Sequence, residues 1–270
     1  MKQNQAIVIA AHGSRNPRWV AALREWEAGF RRVLGELSAP GEAPPSHLTF
    51  LEMTEPLYSE TLRRLDGQFE RLAILPLFLT KSSHGGVDVP HEAAENLRRS
   101  AWSVVRTDDL PALLGANAAR RLREGGARPG DPVVVSGYGA SAHGHLWEEL
   151  TGELRAHAGP FGSAEWRFAP AGHFLDDSAR PLREALEALL TGGIERASIL
   201  PLYVAVSSYQ EELIPAVVRE FPSMHVAVGA PSLLPDPAIE QWAARAALRT
   251  LSEGVFQTPT PSPGKEQAVS

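Results

Sequence analysis

Short apolar runs alternate along the chain with longer segments in which apolar residues recur every three or four positions. Short runs bounded by turn residues are typical of strands buried on both faces, and the longer period is that of amphipathic helices. The runs predict strands at residues 7–11, 48–53, 72–79, 103–106, 133–136, 167–171, 197–204 and 225–228. The helical period predicts helices at residues 17–37, 57–69, 91–100, 110–124, 145–157, 179–190, 209–220 and 238–250. This alternation predicts an α/β fold with doubly wound parallel sheets.

The chain also contains an internal repeat. The segment RLAILPLFLTKSSH at residues 71–84 has a partner, RASILPLYVAVSSY, 125 residues further along. Independently, IVIAAHGS at residues 7–14 aligns with VVVSGYGA at an offset of 126 residues. Two matched blocks at nearly one offset predict two tandem units. We place the first unit at residues 1–125, the second at 126–253, and a disordered, proline-rich tail at 254–270.

Composition narrows the chemistry that the chain can perform. None of its 270 residues is cysteine, which excludes disulfides, thiolate metal sites and a cysteine nucleophile. The net charge of −6 argues against a nucleic acid or an anionic membrane as partner. A short polar N-terminus leads directly into the first apolar run, without a run of membrane length, and we expect a cytoplasmic protein. Metal chemistry in this chain would therefore use histidine and carboxylate.

Three potential metal ligands stand where predicted strands of the first unit end. His12 follows the first strand, Glu52 ends the second, and His84 follows the third. Because the carboxyl ends of parallel strands meet at one edge of a sheet, we expect these side chains to converge. Tyr138 and Tyr209 replace the two histidines in the second unit, so we predict that its edge lacks this chemistry.

This ligand set suits iron(II), cobalt(II), nickel(II) or zinc. With only two imidazoles and one carboxylate, coordination positions remain open, which fits a metal that reacts or is handed on better than a structural ion. Imidazole also titrates near neutral pH, so the same rings could remove protons from a weakly acidic N–H group.

Four motifs together resemble the sirohydrochlorin chelatases, a family of class II chelatases. They are HGSR at residues 12–15, FLE at 50–52, PLFL at 76–79, and His84 followed by DVP at 88–90. The resemblance extends from residue 6 to about residue 230, and in it Ser82 and Ser83 replace the glycines that often precede the second histidine. It implies a chelatase-like, flavodoxin-like topology in the long two-unit form, with a cleft between the units. We expect Asp88 to cap the helix that follows it.

The same resemblance implies the reaction. Family members insert cobalt or iron into sirohydrochlorin without ATP, in cobalamin or siroheme biosynthesis. His12 and His84 would bind the metal and accept pyrrole protons, with Glu52 assisting. No permanent cofactor is expected, only a divalent metal substrate, Co²⁺ or Fe²⁺. The expected partners are sirohydrochlorin and that ion, with no nucleic acid and no membrane, and the expected state is a monomer.

Sirohydrochlorin is flat and carries eight carboxylates, which suggests further binding residues. Arginine pairs with carboxylates in a bidentate manner, and aromatic rings stack on flat ligands. The predicted substrate-binding residues are Ser14, Arg15, Lys81, Ser83, Tyr138 and Tyr209, with Arg18 a further candidate. His173 follows a strand of the second unit, where we favour a surface position over one that faces the cleft.

Two other functions stay open at this stage. One is a binding protein that delivers a metal or a tetrapyrrole without turnover. The other is a hydrolase with Ser14 as nucleophile, which is disfavoured because no glycine elbow surrounds this serine. The sequence does not choose among cobalt, iron and nickel.

Overall fold

The computed structural model describes residues 4–80, 83–138, 144–171, 177–206 and 209–258, without the side chains of Ser83, His84 and Tyr209. The strands are β1 Gln5–Ala11, β2 Ser46–Phe50, β3 Arg71–Pro76, β4 Ala101–Val104, β5 Val133–Tyr138, β6 Trp166–Ala171, β7 Arg196–Leu202 and β8 His225–Val228. The α-helices are α1 Pro17–Leu37, α2 Tyr58–Leu65, α3 Val89–Asn96, α4 Leu110–Glu124, α5 Gly144–His157, α6 Arg180–Thr191, α7 Ile214–Arg219 and α8 Pro237–Glu253. Within this part of the chain, no helix combines the length and the apolar character needed to cross a membrane.

The strands form two parallel sheets of four. Their orders are β2-β1-β3-β4 and β6-β5-β7-β8, so the second sheet repeats the first. The tandem α/β architecture predicted from the repeat is confirmed. In each sheet the strand order reverses beside the first strand of the unit, and crevices for ligands form at the carboxyl ends of strands at such a reversal.

The central strand β1 explains why its sequence is an uninterrupted apolar run. Residues 6–11 are fully buried, as expected of a parallel strand covered by helices on both faces. Ala6, Val8 and Ala10 pack into one cluster with Leu62 and Leu65 of α2. The intervening residues of β1 point to the opposite face of the sheet, because side chains alternate along a strand.

The repeat extends to an irregular feature of the backbone. A π-helical turn at Ser83–Asp88 precedes α3 in the first unit, and a π-helical turn at Tyr209–Leu213 precedes α7 in the second. Both turns lie in the connection that leaves the third strand of their unit. The aligned segments that end at His84 and Tyr209 therefore enter the same kind of turn.

Contacts divide the described chain into two compact units that differ from the division by sequence repeat. The first unit comprises residues 4–15, 27–106 and 240–258, and the second comprises 16–26 and the described parts of 107–239. Helix α4, which the sequence division at residue 125 places with the first unit, belongs to the second. Most of α8 belongs to the first unit.

The end of the described chain corrects the prediction that packing stops at residue 254. The backbone N–H of Gln257 donates to the carbonyl of Trp102 in β4 at 2.8 Å, and Trp102 returns a hydrogen bond at 3.1 Å. The guanidinium of Arg71 lies 5.2 Å from the centre of the Phe256 ring. Backbone pairing with the edge strand β4 and the contact between Arg71 and the Phe256 ring thus hold the segment after α8 on the first unit. Residues 259–270 lie outside the described chain.

Candidate functional site

The candidate site begins with two loops that leave neighbouring strands of the first sheet. Ala11 at the end of β1 pairs with Phe50 at the end of β2. The ladder continues beyond both strands, because the Leu51 N–H donates to Ala11 at 2.9 Å and the Glu52 N–H donates to His12 at 3.2 Å. His12 and Glu52 are therefore brought together by strand register, as predicted.

Gly13 allows the two loops to lie in direct contact. Its φ of +104° is a conformation that residues with a side chain rarely adopt. A Cβ at this position would lie 1.8 Å from the carbonyl oxygen of Glu52. Only glycine fits both conditions, so the HGS motif has a structural reason as well as a chemical one.

The side chains of His12 and Glu52 face each other at this edge. The Nε2 of His12 lies 3.4 Å from Glu52 Oε1, and the two side chains are 35% and 47% exposed. On the other side of the ring, His12 Nδ1 lies 3.1 Å from the carbonyl oxygen of Gly13. A carbonyl only accepts hydrogen bonds, so this contact favours a proton on Nδ1 and a lone pair on Nε2.

In that tautomer, a lone pair and a carboxylate oxygen face each other without a proton between them. The two electron-rich atoms repel each other. A cation bound between them removes the repulsion, and so does a proton taken up by Nε2. Ligands at roughly 2.1 Å from a tetrahedral ion such as zinc stand about 3.4 Å apart. The observed separation of 3.4 Å matches that spacing. The pair is therefore suited both to hold a divalent ion and to accept a proton.

The third predicted ligand lies on the π-helical turn after β3. The backbone of His84 belongs to this turn, but its side chain is outside the described set, so its place in the site stays a prediction. Among described residues, no group of three or more histidine, aspartate or glutamate side chains could hold a metal ion. His12 and Glu52 are the two potential ligands that the described residues bring together.

The remaining predicted residues fall into three groups. Ser14 is half-buried, Arg15 is exposed, and Tyr138 ends β5 with 38% of its surface exposed. Lys81 and His173 lie outside the described residues, as do the side chains of Ser83 and Tyr209. Arg18 donates from Nη1 to Glu211 Oε1 at 2.7 Å within the second unit, so it already has a carboxylate partner.

Sequence reasoning missed two apolar side chains in the loops of the first unit. Met53, directly after Glu52, is 57% exposed, and Val87 in the π-helical turn is 62% exposed. Among the described residues, exposed large apolar side chains are few, and these two lie in connections that leave the carboxyl ends of β2 and β3. The sequence pattern gave no separate signal for them, because Met53 is the last residue of the predicted strand 48–53 and Val87 lies well beyond the predicted strand 72–79.

The comparisons with known proteins agree with this geometry. The CbiX family model matches residues 6–115, which include His12, Glu52 and His84. Over these residues, the N-terminal part of the chain is similar to the CbiX family. The resemblance to the sirohydrochlorin chelatases is thereby confirmed. Among the curated proteins compared with the chain, none matches it.

Solved structures extend the fold match from the CbiX segment to nearly the whole chain. SirB from Bacillus subtilis with Fe³⁺ is 18% identical, with a TM-score of 0.64, and the match covers 94% of this chain and all of SirB. The sirohydrochlorin chelatase SirB from Bacillus subtilis subspecies spizizenii, in complex with cobalt, is 15% identical over 94% of this chain and all of its own, with a TM-score of 0.60. CbiX, described as the terminal enzyme for biosynthesis of siroheme in denitrifying bacteria, is 18% identical over 90% of this chain and 99% of its own, with a TM-score of 0.54. At these identities the similarity shows a shared two-unit fold.

Proposed function

We propose that this protein inserts a divalent metal, cobalt or iron, into sirohydrochlorin without ATP. The observation that carries the proposal is the pair of His12 Nε2 and Glu52 Oε1, 3.4 Å apart at the carboxyl edge of the CbiX segment. Two structural relatives were obtained with Fe³⁺ and with cobalt, which supports a metal as one substrate. We place the reaction in the cytoplasm, with the chain acting as a monomer in cobalamin or siroheme biosynthesis.

Metal insertion exchanges two protons for one ion. Two pyrrole N–H bonds break, the ion becomes bound by the two deprotonated and the two neutral ring nitrogens, and two protons leave with no change of oxidation state. In the proposed sequence, His12 and Glu52 hold the ion first, with His84 as the third ligand. As the ring nitrogens take over the metal, Nε2 of His12 regains its lone pair and accepts one proton, and the released imidazole of His84 accepts the other. The neighbouring Glu52 carboxylate then stabilises the imidazolium.

The surroundings of the pair suit a flat substrate with an apolar face and a charged rim. Met53 and Val87 offer exposed apolar surface in the adjoining loops, which is unfavourable in water and becomes favourable when a ring covers it. Arg15 is exposed three residues after His12 and can pair with a carboxylate of the substrate. Ser14, Lys81, Ser83, Tyr138 and Tyr209 complete the proposed substrate-binding set.

Two substitutions test the proposal. One changes the carboxylate that is proposed to bind the metal, and the other changes a carboxylate in the same loop that is not. Purified protein is mixed with sirohydrochlorin and Co²⁺ or Fe²⁺, and insertion is followed in the visible spectrum. Glu52→Gln should lower the rate at least about tenfold, because it removes the anionic ligand but keeps the shape. Glu55→Gln is the matched control, since Glu55 is exposed in the same loop and accepts a local hydrogen bond from the Leu57 N–H.

Three outcomes distinguish the alternatives. The proposal is supported if the parent inserts metal faster than the reaction without protein, if Glu52→Gln loses this acceleration, and if Glu55→Gln keeps it. A parent rate equal to that of metal alone, combined with tight stoichiometric binding, points instead to a delivery protein. Equal rates for parent and Glu52→Gln contradict the role of the pair. A competition between Co²⁺ and Fe²⁺ in the same assay assigns the preferred ion.

A further inference from the structure

A single hydroxyl group joins the two loops of the candidate site. Thr54 Oγ1 accepts a hydrogen bond from the backbone N–H of Ser14 at 3.0 Å. The same hydroxyl donates to the backbone carbonyl of Ser14 at 2.9 Å. Both backbone groups of one residue in the His12 loop are thus bonded to one side chain in the Glu52 loop.

Thr54 also closes a tight turn around the residue that follows Glu52. Its backbone N–H donates to the carbonyl of Glu52 at 2.7 Å, which forms a three-residue turn with Met53 at its centre. Met53 has a φ of +61°, an uncommon conformation for a residue with a side chain. Such a conformation persists only where the surrounding structure holds it, and these positions cluster at functional sites.

Both sets of contacts hold the backbone segments that carry His12 and Glu52. The Glu52 carbonyl that accepts from Thr54 is the group that lies against Gly13, and the Ser14 backbone held by Thr54 is two residues from His12. The clasp formed by Thr54 and Ser14 therefore joins the two loops two residues beyond His12 and Glu52. Displacing it would change the distance between His12 Nε2 and Glu52 Oε1, which is now 3.4 Å.

We infer that Thr54 is a positioning residue that sets the spacing of the metal-binding pair through its hydroxyl. This inference rests on the proposed function, because it assumes that His12 and Glu52 bind the metal together. The hydroxyl is bonded to the backbone of Ser14, so its effect passes through the backbone. Substitution of residues that orient metal ligands commonly lowers the metal affinity by about 10- to 100-fold.

The test measures binding of Co²⁺ alone to the full chain, by titration in the visible absorption range. Thr54→Val removes the hydroxyl at nearly constant volume and should weaken Co²⁺ binding by about tenfold or more, with a changed absorption band. Thr54→Ser restores the hydroxyl and should return both affinity and spectrum toward those of the parent. If the valine variant does not fold, the same comparison is made with Thr54→Ala.

A matched control separates positioning from general stability. Thr49 in β2 donates its buried hydroxyl to the carbonyl of Ile9 at 2.7 Å, away from the ligand pair. Thr49→Val should therefore lower the melting temperature while leaving Co²⁺ affinity and spectrum unchanged. Loss of affinity in Thr54→Val, rescue in Thr54→Ser and no loss in Thr49→Val together support the inference.

The negative outcomes are distinguishable. If His12→Ala abolishes Co²⁺ binding but Thr54→Val binds like the parent, the positioning role is wrong and the proposed metal pair stands. If Thr49→Val and Thr54→Val weaken binding equally, the effect is one of stability and the inference is overturned. If the parent binds no Co²⁺ in a manner that depends on His12, the proposed function fails, and the inference fails with it.

Discussion

Replacement of Gly13 by alanine tests whether the contact between the two loops creates the site. The new Cβ would lie 1.8 Å from the Glu52 carbonyl oxygen, whereas real Cβ contacts do not fall below 3.0 Å. The carbonyl must therefore retreat by about 1.2 Å, and alanine must adopt a φ near +104° or rotate away from it. The hydrogen bond from the Glu52 N–H to His12, already 3.2 Å long, would not survive this movement.

The magnitude follows from these two costs. Backbone strain of roughly 1–3 kcal/mol and the loss of one or two hydrogen bonds at about 1 kcal/mol each predict a drop of about 2–5 kcal/mol in the free energy of unfolding. A displacement of about 1 Å between reacting groups commonly lowers a rate by about a hundredfold. We expect a metal insertion rate about a hundredfold below that of the parent.

The assay pairs urea unfolding with metal insertion, and Gly35→Ala serves as control. Gly35 lies near the end of α1, and a Cβ there would meet nothing within 4 Å. Alanine is the better helix former, so this variant should be more stable by about 0.5–1 kcal/mol and insert metal at the parent rate. A Gly13→Ala protein with the stability and rate of the parent would refute the reasoning.

Three further predictions concern acid stability, a buried cation and the apolar surface of the site. Burial raises the pKa of Asp66, but backbone N–H donors of the turn after α3 and the Arg99 guanidinium outweigh it and lower that pKa below 3.8. The stabilisation is thus complete above about pH 4 and is lost as the pH falls through the pKa of Asp66 in the folded protein. In urea titrations from pH 7 to pH 3, the free energy of unfolding should therefore fall less steeply with acid in Asp66→Asn than in the parent. An equal slope in both proteins would contradict this. Arg121 is buried in the second unit, where burial, then Arg120, lowers its pKa to about 10, and as a cation at neutral pH it donates to the carbonyl of Pro201 at 2.5 Å. Arg121→Met should reduce the free energy of unfolding by about 2–4 kcal/mol without changing Co²⁺ affinity, and an unchanged free energy in urea titrations would contradict a stabilising role for the hydrogen bond to Pro201. Met53→Ala should raise KM for sirohydrochlorin several-fold while leaving Co²⁺ binding intact, and an unchanged KM would exclude Met53 from the substrate contact.

The strands and most helices could be predicted from the sequence because burial dictates their pattern. A central parallel strand must be apolar at every position, and β1 is so from residue 6 to residue 11. Helix α1 begins and ends as predicted, with Pro17 in its first turn and the Asn16 side chain accepting from the Arg18 N–H at 3.0 Å. These signals are local, so they can be read without knowledge of the partner elements.

The assignment of helices to units could not be predicted in the same way. An amphipathic helix such as α4 or α8 needs an apolar surface to cover, but its own pattern does not say which of two similar sheets provides it. The π-helical turns also leave no periodic signal, because each lasts about one turn. Asp88 illustrates the consequence: it stands at the N-cap position of α3, but its backbone is already helical and its side chain makes no capping hydrogen bond, so the predicted cap is wrong.

Only part of the candidate site could be predicted from the sequence. The meeting of His12 and Glu52 follows from strand order and register, which the sequence pattern implies. The roles of Met53 and Thr54 depend on a turn with a positive φ and on one hydroxyl that reaches across to Ser14. Such loop geometry is fixed by contacts between segments 40 residues apart, and no pattern within either loop announces it.

The central claim is that His12 takes part in moving a metal into a tetrapyrrole. The most direct measurement is the rate of Co²⁺ insertion into sirohydrochlorin by the full chain in a single turnover, compared with metal alone and with His12→Ala. We predict a rate clearly above that of metal alone, which falls to the background in His12→Ala. A parent rate at the background, or a His12→Ala rate equal to that of the parent, would contradict the claim.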